Sequence, residues 1–180
     1  MVKKPKTNPG DPQKSALLII DVQQGLFSRP IPVYQEDELL DNILELVDRA
    51  HQVGLPVIYI QHCDQNFLIK GSQEWQLHPD LAPENKDWRV YKENSNAFKG
   101  TKLAEILASQ GVGRVIATGL VTHGCVKNTC LGALQEGYEV ALASDAHSNF
   151  SKDARAIIDK WNTQLAEKGA SVQKTTDITF

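Results

Sequence analysis

The chain has 180 residues, 41% of them hydrophobic and 23% charged, and a formal net charge of −3 at pH 7. This composition is typical of one soluble globular domain, and the lack of a basic excess argues against nucleic acid or an anionic membrane as a partner. No apolar run approaches the length of a membrane span. We expect a flexible N-terminal arm over residues 1–14, without the apolar core of a secretory signal, followed by one domain over residues 15–180.

Six short apolar runs, alternating with amphipathic stretches, give the predicted elements. The runs predict strands at 16–21, 56–61, 88–92, 114–119, 138–144 and 171–175. Apolar residues at helical spacing predict helices at 39–50, 103–107, 124–136 and 151–165, each with a glycine soon after its end. Strands that alternate with helices predict right-handed crossovers and a mainly parallel six-stranded sheet covered on both faces. The expected fold is therefore a three-layer α/β/α, Rossmann-like domain.

The cysteines are Cys63, Cys125 and Cys130. An odd number in a chain of this type predicts reduced thiols and a cytoplasmic location rather than a disulfide framework. Cys130 lies on the apolar stripe of its predicted helix and is interpreted as a core residue, whereas Cys63 has no assigned chemistry. Phosphate-loop and dinucleotide-binding motifs are absent, so no cofactor is predicted.

An open parallel sheet places its ligand site at the carboxyl ends of its strands, and two charged residues end predicted strands in this sequence. Asp21 ends the first strand, and a half-buried carboxylate there can act as a base, although it can also cap a loop or bind a metal or ribose. Lys92 ends the third strand and would stabilise a nearby thiolate and carboxylate, unless it is an ordinary surface charge. These two positions are candidates for catalysis.

Cys125 follows the fourth strand across the segment "LVTHG" and opens a predicted helix. Unpaired backbone N–H groups and the helix dipole at such a position lower the pKa of a thiol and can hold an oxyanion. The alternative is a packed cysteine, since cysteine is among the most buried residue types. His123, two residues earlier, is interpreted as pocket lining rather than as a base.

His62, Asp64 and His78 are of residue types that bind metals and could serve as metal ligands. The H-x-D spacing at 62–64 and the D-x-H spacing at 145–147 lie on different loops, and neither belongs to a recognised zinc pattern. No metal site is predicted, and a metal bound by these residues stays an open alternative.

Five motifs in order along residues 15–175 resemble the isochorismatase-like cysteine hydrolase superfamily: "LLIIDVQ", "EWQLHPDLAP", "YKENSNAF", "ATGLVTHGCVKNT" and "GYEVALASDAHS". The resemblance implies that fold and an Asp–Lys–Cys triad, here Asp21, Lys92 and Cys125. By that resemblance Asp21 takes the thiol proton and Lys92 favours the ionised forms. Cys125 then attacks a carbonyl carbon, and water cleaves the resulting thioester.

The same resemblance implies a cis peptide bond between Leu120 and Val121, and an oxyanion hole made by the backbone N–H groups of Val121 and Cys125. It also implies a small-molecule amide substrate and a homo-oligomer. The pocket walls suggested by the motifs are Leu26, Phe27 and Trp75, for each of which ordinary core or loop packing is the alternative.

The branch of the superfamily is only partly specified by the sequence. Isochorismatase proper cleaves a vinyl ether without needing the thiol, so Cys125 favours hydrolysis of a C–N bond. Nicotinamidases bind a metal through a D-x-H element, from which "QHCDQN" departs. We expect a cysteine amidohydrolase acting on a small molecule. The alternatives are a metal-dependent nicotinamidase-type amidase and a non-catalytic binding or thiol-redox protein.

Overall fold

The computed structural model describes residues 9–180, in which one six-stranded sheet forms the centre of the fold. The strands are β1 (Asp11–Ile20), β2 (Val57–His62), β3 (Trp88–Lys92), β4 (Val112–Leu120), β5 (Glu139–Ser148) and β6 (Ser171–Gln173). Their order in the sheet is β3-β2-β1-β4-β5-β6, and neighbouring strands pair in parallel. The predicted α/β fold with a six-stranded parallel sheet is confirmed.

Five helices flank the sheet: α1 (Gln24–Phe27), α2 (Glu36–Gln52), α3 (Leu103–Ser109), α4 (Lys127–Glu136) and α5 (Ala154–Glu167). A π-helical turn, Thr122–Val126, joins β4 to α4. The four predicted helices are present. The additional helix, α1, has four residues, too few to show helical periodicity in the sequence. None of the helices among residues 9–180 is both long and apolar enough to cross a membrane.

The two faces of the sheet bury separate apolar clusters because successive side chains of a strand point to opposite sides. On one face Leu17 and Ile19 pack with α2. On the other, Leu18 and Ile20 pack with side chains of α3, α4 and α5. The continuous apolar run of β1 is thus explained by burial on both faces.

The predicted N-terminal arm requires a correction at its end. β1 begins at Asp11, and Asp11 pairs with Val112 of β4, so residues 11–14 are the exposed start of a strand. The sequence concealed this extension because these residues are polar. Residues 1–8 lie outside the described part of the chain.

Strand order reverses between β1 and β4, and Gly119 of β4 pairs with Ile20 at the carboxyl end of β1. Gly119 has φ +107°, and a Cβ atom built there would lie 2.1 Å from the carbonyl oxygen of Ile20. Both the left-handed backbone and the contact with Ile20 favour glycine. The carboxyl ends of β1 and β4 therefore meet with no side chain between them.

Gly119→Ala should destabilise the protein far more than Gly54→Ala. Both glycines have positive φ, which costs an alanine about 1–2 kcal/mol, but a Cβ at Gly54 meets nothing within 4 Å. The clash at Gly119 should add about 1–3 kcal/mol from overpacking. Urea unfolding of the two variants measures the difference, and equal losses would contradict the close approach of β1 and β4.

Candidate active site

The structure brings Asp21, Lys92 and Cys125 together at the carboxyl edge of the sheet. The Lys92 ammonium donates hydrogen bonds to Asp21 Oδ2 at 2.7 Å and to Cys125 Sγ at 3.1 Å. Asp21 follows β1, Lys92 ends β3, and β2 lies between those strands. The side chain of Lys92 therefore spans the gap of about 10 Å expected for strands two places apart.

A third acceptor, His62 Nδ1, lies 3.3 Å from the same ammonium nitrogen. A lysine ammonium has three N–H groups, so each of them has an acceptor here. Because Nδ1 accepts, the proton of a neutral His62 is on Nε2. The sequence suggested His62 only as a metal ligand. The contact with Lys92 depends on the register of β2 and β3, in which His62 and Lys92 are paired at the strand ends. This register could not be derived from the sequence pattern.

Asp21 is placed by an unusual backbone conformation. Its φ is +52°, a left-handed value that aspartate tolerates better than most residues, while its N–H donates to the carbonyl of Ile60. The side chain is buried, and Oδ1 has no hydrogen-bond partner among residues 9–180. One carboxylate oxygen therefore holds Lys92, and the other is available to accept a proton.

Gln23, also missed in the sequence, joins the loops that follow β1 and β2. It is fully buried. Its Nε2 donates to the carbonyls of His62 and Trp75, and its Oε1 accepts from the backbone N–H of His62 at 2.8 Å. These three bonds fix the end of β2 relative to Asp21, and with it the position of the His62 ring.

Cys125 lies in the π-helical turn, two residues before α4 begins. Burial and then the carboxylate of Asp21 raise the pKa of the Cys125 thiol, Lys92 opposes them, and the result is about 12. The expectation of a lowered pKa at this position is therefore wrong, because burial and the Asp21 carboxylate outweigh the Lys92 charge. The thiol keeps its proton at neutral pH and needs a base to become a nucleophile.

The charges of the other two groups also follow from their surroundings. Burial alone lowers the pKa of Lys92, but Asp21 and Cys125 beside it more than compensate, so the pKa is raised and the side chain stays an ammonium. Burial and then the Lys92 charge lower the pKa of His62, so this ring is neutral at pH 7. The site thus combines a carboxylate, an ammonium, a neutral imidazole and a neutral thiol.

A metal ion does not fit this cluster. Donor atoms of Asp21, His62 and Cys125 lie within 4.8 Å of one another, the spacing of a metal site. However, the Lys92 ammonium contacts all three, so a metal cation would have to displace a buried cation from its acceptors.

The other two suggested metal ligands have different partners. Asp64 accepts three backbone N–H groups of its own turn, and His78 packs on the ring of Phe27.

The predicted pocket residues have different environments. Leu26 is buried, Phe27 is half-buried, and His123 is exposed on the π-helical turn. Trp75 is buried, and its indole N–H donates to Cys63 Sγ at 3.2 Å. Their contact with a substrate stays a prediction.

Two predictions from the sequence near Cys125 are confirmed: the peptide bond between Leu120 and Val121 is cis, and Cys130 is a core residue. The oxyanion hole at Val121 and Cys125 stays a prediction.

A second buried chain of hydrogen bonds supports the turn that carries Cys125. Thr122 Oγ1 donates to His147 Nδ1 at 2.9 Å, and His147 Nε2 donates to Asn162 Oδ1 at 2.9 Å. Burial lowers the pKa of His147 to about 4, so the neutral form that these two bonds require is the form present at pH 7. The turn is thereby fastened to β5 and α5.

The sheet is doubly wound and parallel, and a polar cluster lies where the order of its strands reverses. These two features place the protein in the class of α/β proteins that bind their ligand at this point of the sheet. Comparison with known proteins identifies the family within that class. Residues 15–176 match the model of the isochorismatase domain, and the chain belongs to that family. The predicted family and its hydrolase class are confirmed.

Among its relatives, the chain is 29% identical over 137 residues to streptothricin hydrolase of Streptomyces noursei, covering 75% of this chain and only 54% of that protein. It is 26% identical to nicotinamidase 3 of Arabidopsis thaliana, covering 84% and 82% of the two chains. A crystal structure of an isochorismatase from Pseudomonas putida superposes with a TM-score of 0.85 at 28% identity, covering 98% and 94%. The chain thus spans about half of the first relative and most of the other two.

Asp21→Asn should lower the pKa of Cys125, because it removes the negative charge that raises this pKa and leaves Lys92 in place. A titration of the ultraviolet absorbance of the thiolate, with Cys125→Ser as the blank, should show thiolate at a lower pH in the variant than in the wild type. Asp80→Asn, which changes an exposed carboxylate, serves as the control. An unchanged or raised pKa would mean that Asp21 does not act on the thiol.

Proposed function

We propose that the protein is a cysteine amidohydrolase that cleaves the C–N bond of a small amide through a thioester. The observation that carries this proposal is the contact of one buried ammonium, Lys92, with both Asp21 and Cys125. The relatives named nicotinamidase and streptothricin hydrolase support an amide-type bond as the target.

In the first half of the reaction, Asp21 Oδ1 accepts the proton of Cys125, and the sulfur attacks the carbonyl carbon of the amide. A C–S bond forms, and the carbonyl oxygen becomes an oxyanion, which the N–H groups of Val121 and Cys125 would stabilise. The C–N bond then breaks as Asp21 returns the proton to the leaving nitrogen. Ammonia or an amine departs, and a thioester remains on Cys125.

In the second half, Asp21 takes a proton from water, whose oxygen attacks the thioester carbon. The C–S bond breaks, the acid leaves, and the proton passes from Asp21 to the sulfur. Lys92 stays an ammonium throughout. It holds the carboxylate and the sulfur within reach of each other and stabilises negative charge on either group.

The alternatives lack comparable support. The Lys92 ammonium occupies the position that a metal would need among its ligands, which weighs against a metal-dependent amidase. A thiol-redox function requires no buried carboxylate with a free oxygen near its cysteine, yet Asp21 has one. The homo-oligomeric state and the cytoplasmic location expected from the sequence stay predictions.

Cys125→Ala should abolish ammonia release from a panel of small primary amides. We expect a loss of at least about 10³-fold in kcat, the scale of removing a catalytic nucleophile. Cys63→Ser, a change of a thiol outside the cluster, should leave turnover within about twofold, a change of less than about 0.5 kcal/mol. Added hydroxylamine should divert the wild-type product to a hydroxamate, because it competes with water for the thioester. Equal ammonia release by wild type and Cys125→Ala would refute the proposal.

Acid should inactivate the enzyme through His62. Protonation at Nδ1 removes the third acceptor of Lys92 and places a second cation 3.3 Å from its ammonium. Burial and the Lys92 charge lower the pKa of His62, although Asp21, Asp64 and Glu93 partly oppose them. The neutral form is therefore retained as pH falls through the ordinary histidine value of about 6.5. A profile of kcat/KM against pH should place the acid limb below that value.

A pair of substitutions separates this effect from general damage. His62→Asn offers an oxygen near the position of Nδ1 that does not titrate, so it should keep activity and lose the acid limb that belongs to His62. His62→Leu leaves one N–H of Lys92 without an acceptor and should lower kcat about tenfold or more. An acid limb that is identical in wild type and His62→Asn would assign that limb to another group.

A further inference from the structure

Arg29, in the loop after α1, has a guanidinium held between two aromatic rings. Its Cζ lies 4.7 Å from the ring centroid of Phe67 and 4.7 Å from that of Phe150. Contacts of this kind attract a cation to the faces of both rings. An exposed arginine is ordinarily free to adopt many rotamers, whereas this one is fixed in position by two rings.

The two rings come from loops on opposite sides of the reversal point. Phe67 follows β2 and lies against α1, since a Cβ on Gly25 would be 3.1 Å from its ring. Phe150 follows β5, in which Ser148 pairs with Leu120, and Leu120 is joined to Val121 by the cis peptide bond. In the sheet β1 and β4 lie between β2 and β5. Both rings follow strands at the carboxyl edge of the sheet and pack against the apolar cluster on its α2 face. The guanidinium that contacts both rings therefore lies among the loops of the edge that also carries Asp21 and the Cys125 turn.

The charge of Arg29 has no counterion among residues 9–180. Its guanidinium, like that of Arg89, makes no ion pair or hydrogen bond with any residue in that range, whereas Arg49, Arg114 and Arg155 each bind an acceptor. The two ring contacts hold the guanidinium in place, and its N–H groups have no acceptor among residues 9–180. Those groups form the fork that matches a carboxylate.

We infer that Arg29 recognises a carboxylate on the substrate, so that the preferred substrate is a small amide with an acid group at its other end. This inference rests on the proposed function, because it takes the amide carbonyl to lie at Cys125. The carboxylate would pair with the free edge of the guanidinium while Phe67 and Phe150 hold that edge in place. A cation fixed before binding loses little side-chain entropy when it pairs with the carboxylate.

Binding can be measured without turnover in the Cys125→Ala protein. The probes are succinamate, glutaramate and adipamate, each paired with the neutral amide in which a methyl group replaces the carboxylate: butyramide, valeramide and hexanamide. The three chain lengths sample the distance between the amide and the acid group. Calorimetry gives Kd for each probe in the Cys125→Ala background alone and with Arg29→Met, Arg29→Lys or Lys160→Met added. Lys160 is an exposed cation beside Trp161 and controls for the loss of one positive charge.

At the best chain length the carboxylate probe should bind more tightly than its methyl partner. Arg29→Met should weaken the carboxylate probe about tenfold, the effect of one charge-assisted hydrogen bond, and leave the methyl partner within about twofold. Arg29→Lys should recover part of the loss because it keeps the charge without the fork, and Lys160→Met should change neither probe. Unchanged affinity of the methyl partner also shows that the variant is folded.

Three results would overturn the inference: no preference for a carboxylate at any chain length, no effect of Arg29→Met, or an equal loss for both members of a pair, which would make Arg29 only a wall of the pocket. Ammonia release by the protein with an intact Cys125 separates this inference from the proposed function. Hydrolysis without carboxylate preference refutes the role of Arg29 alone. Carboxylate-selective binding without hydrolysis of any amide refutes the proposed function and leaves the binding site.

Discussion

The buried ammonium of Lys92 is the constraint on which the rest of the site depends. A buried charge is costly unless it is paired and hydrogen-bonded, and this one is fully enclosed with three acceptors for its three N–H groups. The acceptors belong to Asp21, His62 and Cys125, which follow or end three different strands. Satisfying one cation therefore fixes three loops relative to one another, and the carboxylate and thiol meet as a consequence.

The parallel sheet supplies the positions from which those acceptors can converge. All strand ends that carry the site lie at one edge because the strands are parallel, and the reversal of order places β1 beside β4. Gly119 lets these two strands approach, Gln23 ties the end of β2 to the segment after Asp21, and Thr122 anchors the following turn through His147. Each of these residues acts on the position of a reactive group.

The sequence was informative where its signals are local. Continuous apolar runs predicted the strands, and ordered motifs at strand ends pointed to Asp21, Lys92 and Cys125.

The sequence was uninformative where the structure depends on strand register and on the path of the loops. The contact of His62 with Lys92 requires knowing which residues of β2 and β3 are partners. The placement of Arg29 between Phe67 and Phe150 depends on three loops that are distant in sequence. The pKa of Cys125 was predicted in the wrong direction because helix position can be read locally, whereas burial cannot.

The raised pKa of Cys125 is consistent with a nucleophilic role once the charge of the whole cluster is considered. With Asp21 ionised, Lys92 protonated and Cys125 neutral, the three groups carry no net charge. Loss of the thiol proton to solvent would leave a net negative charge in a buried site, which desolvation opposes. Transfer of the same proton to Asp21 leaves the net charge at zero. Attack on a carbonyl then moves the negative charge from sulfur to oxygen, and the net charge of the site stays the same. A site built in this way favours internal proton transfer over ionisation, which explains why a nucleophilic cysteine can have a high pKa when it has a buried base beside it.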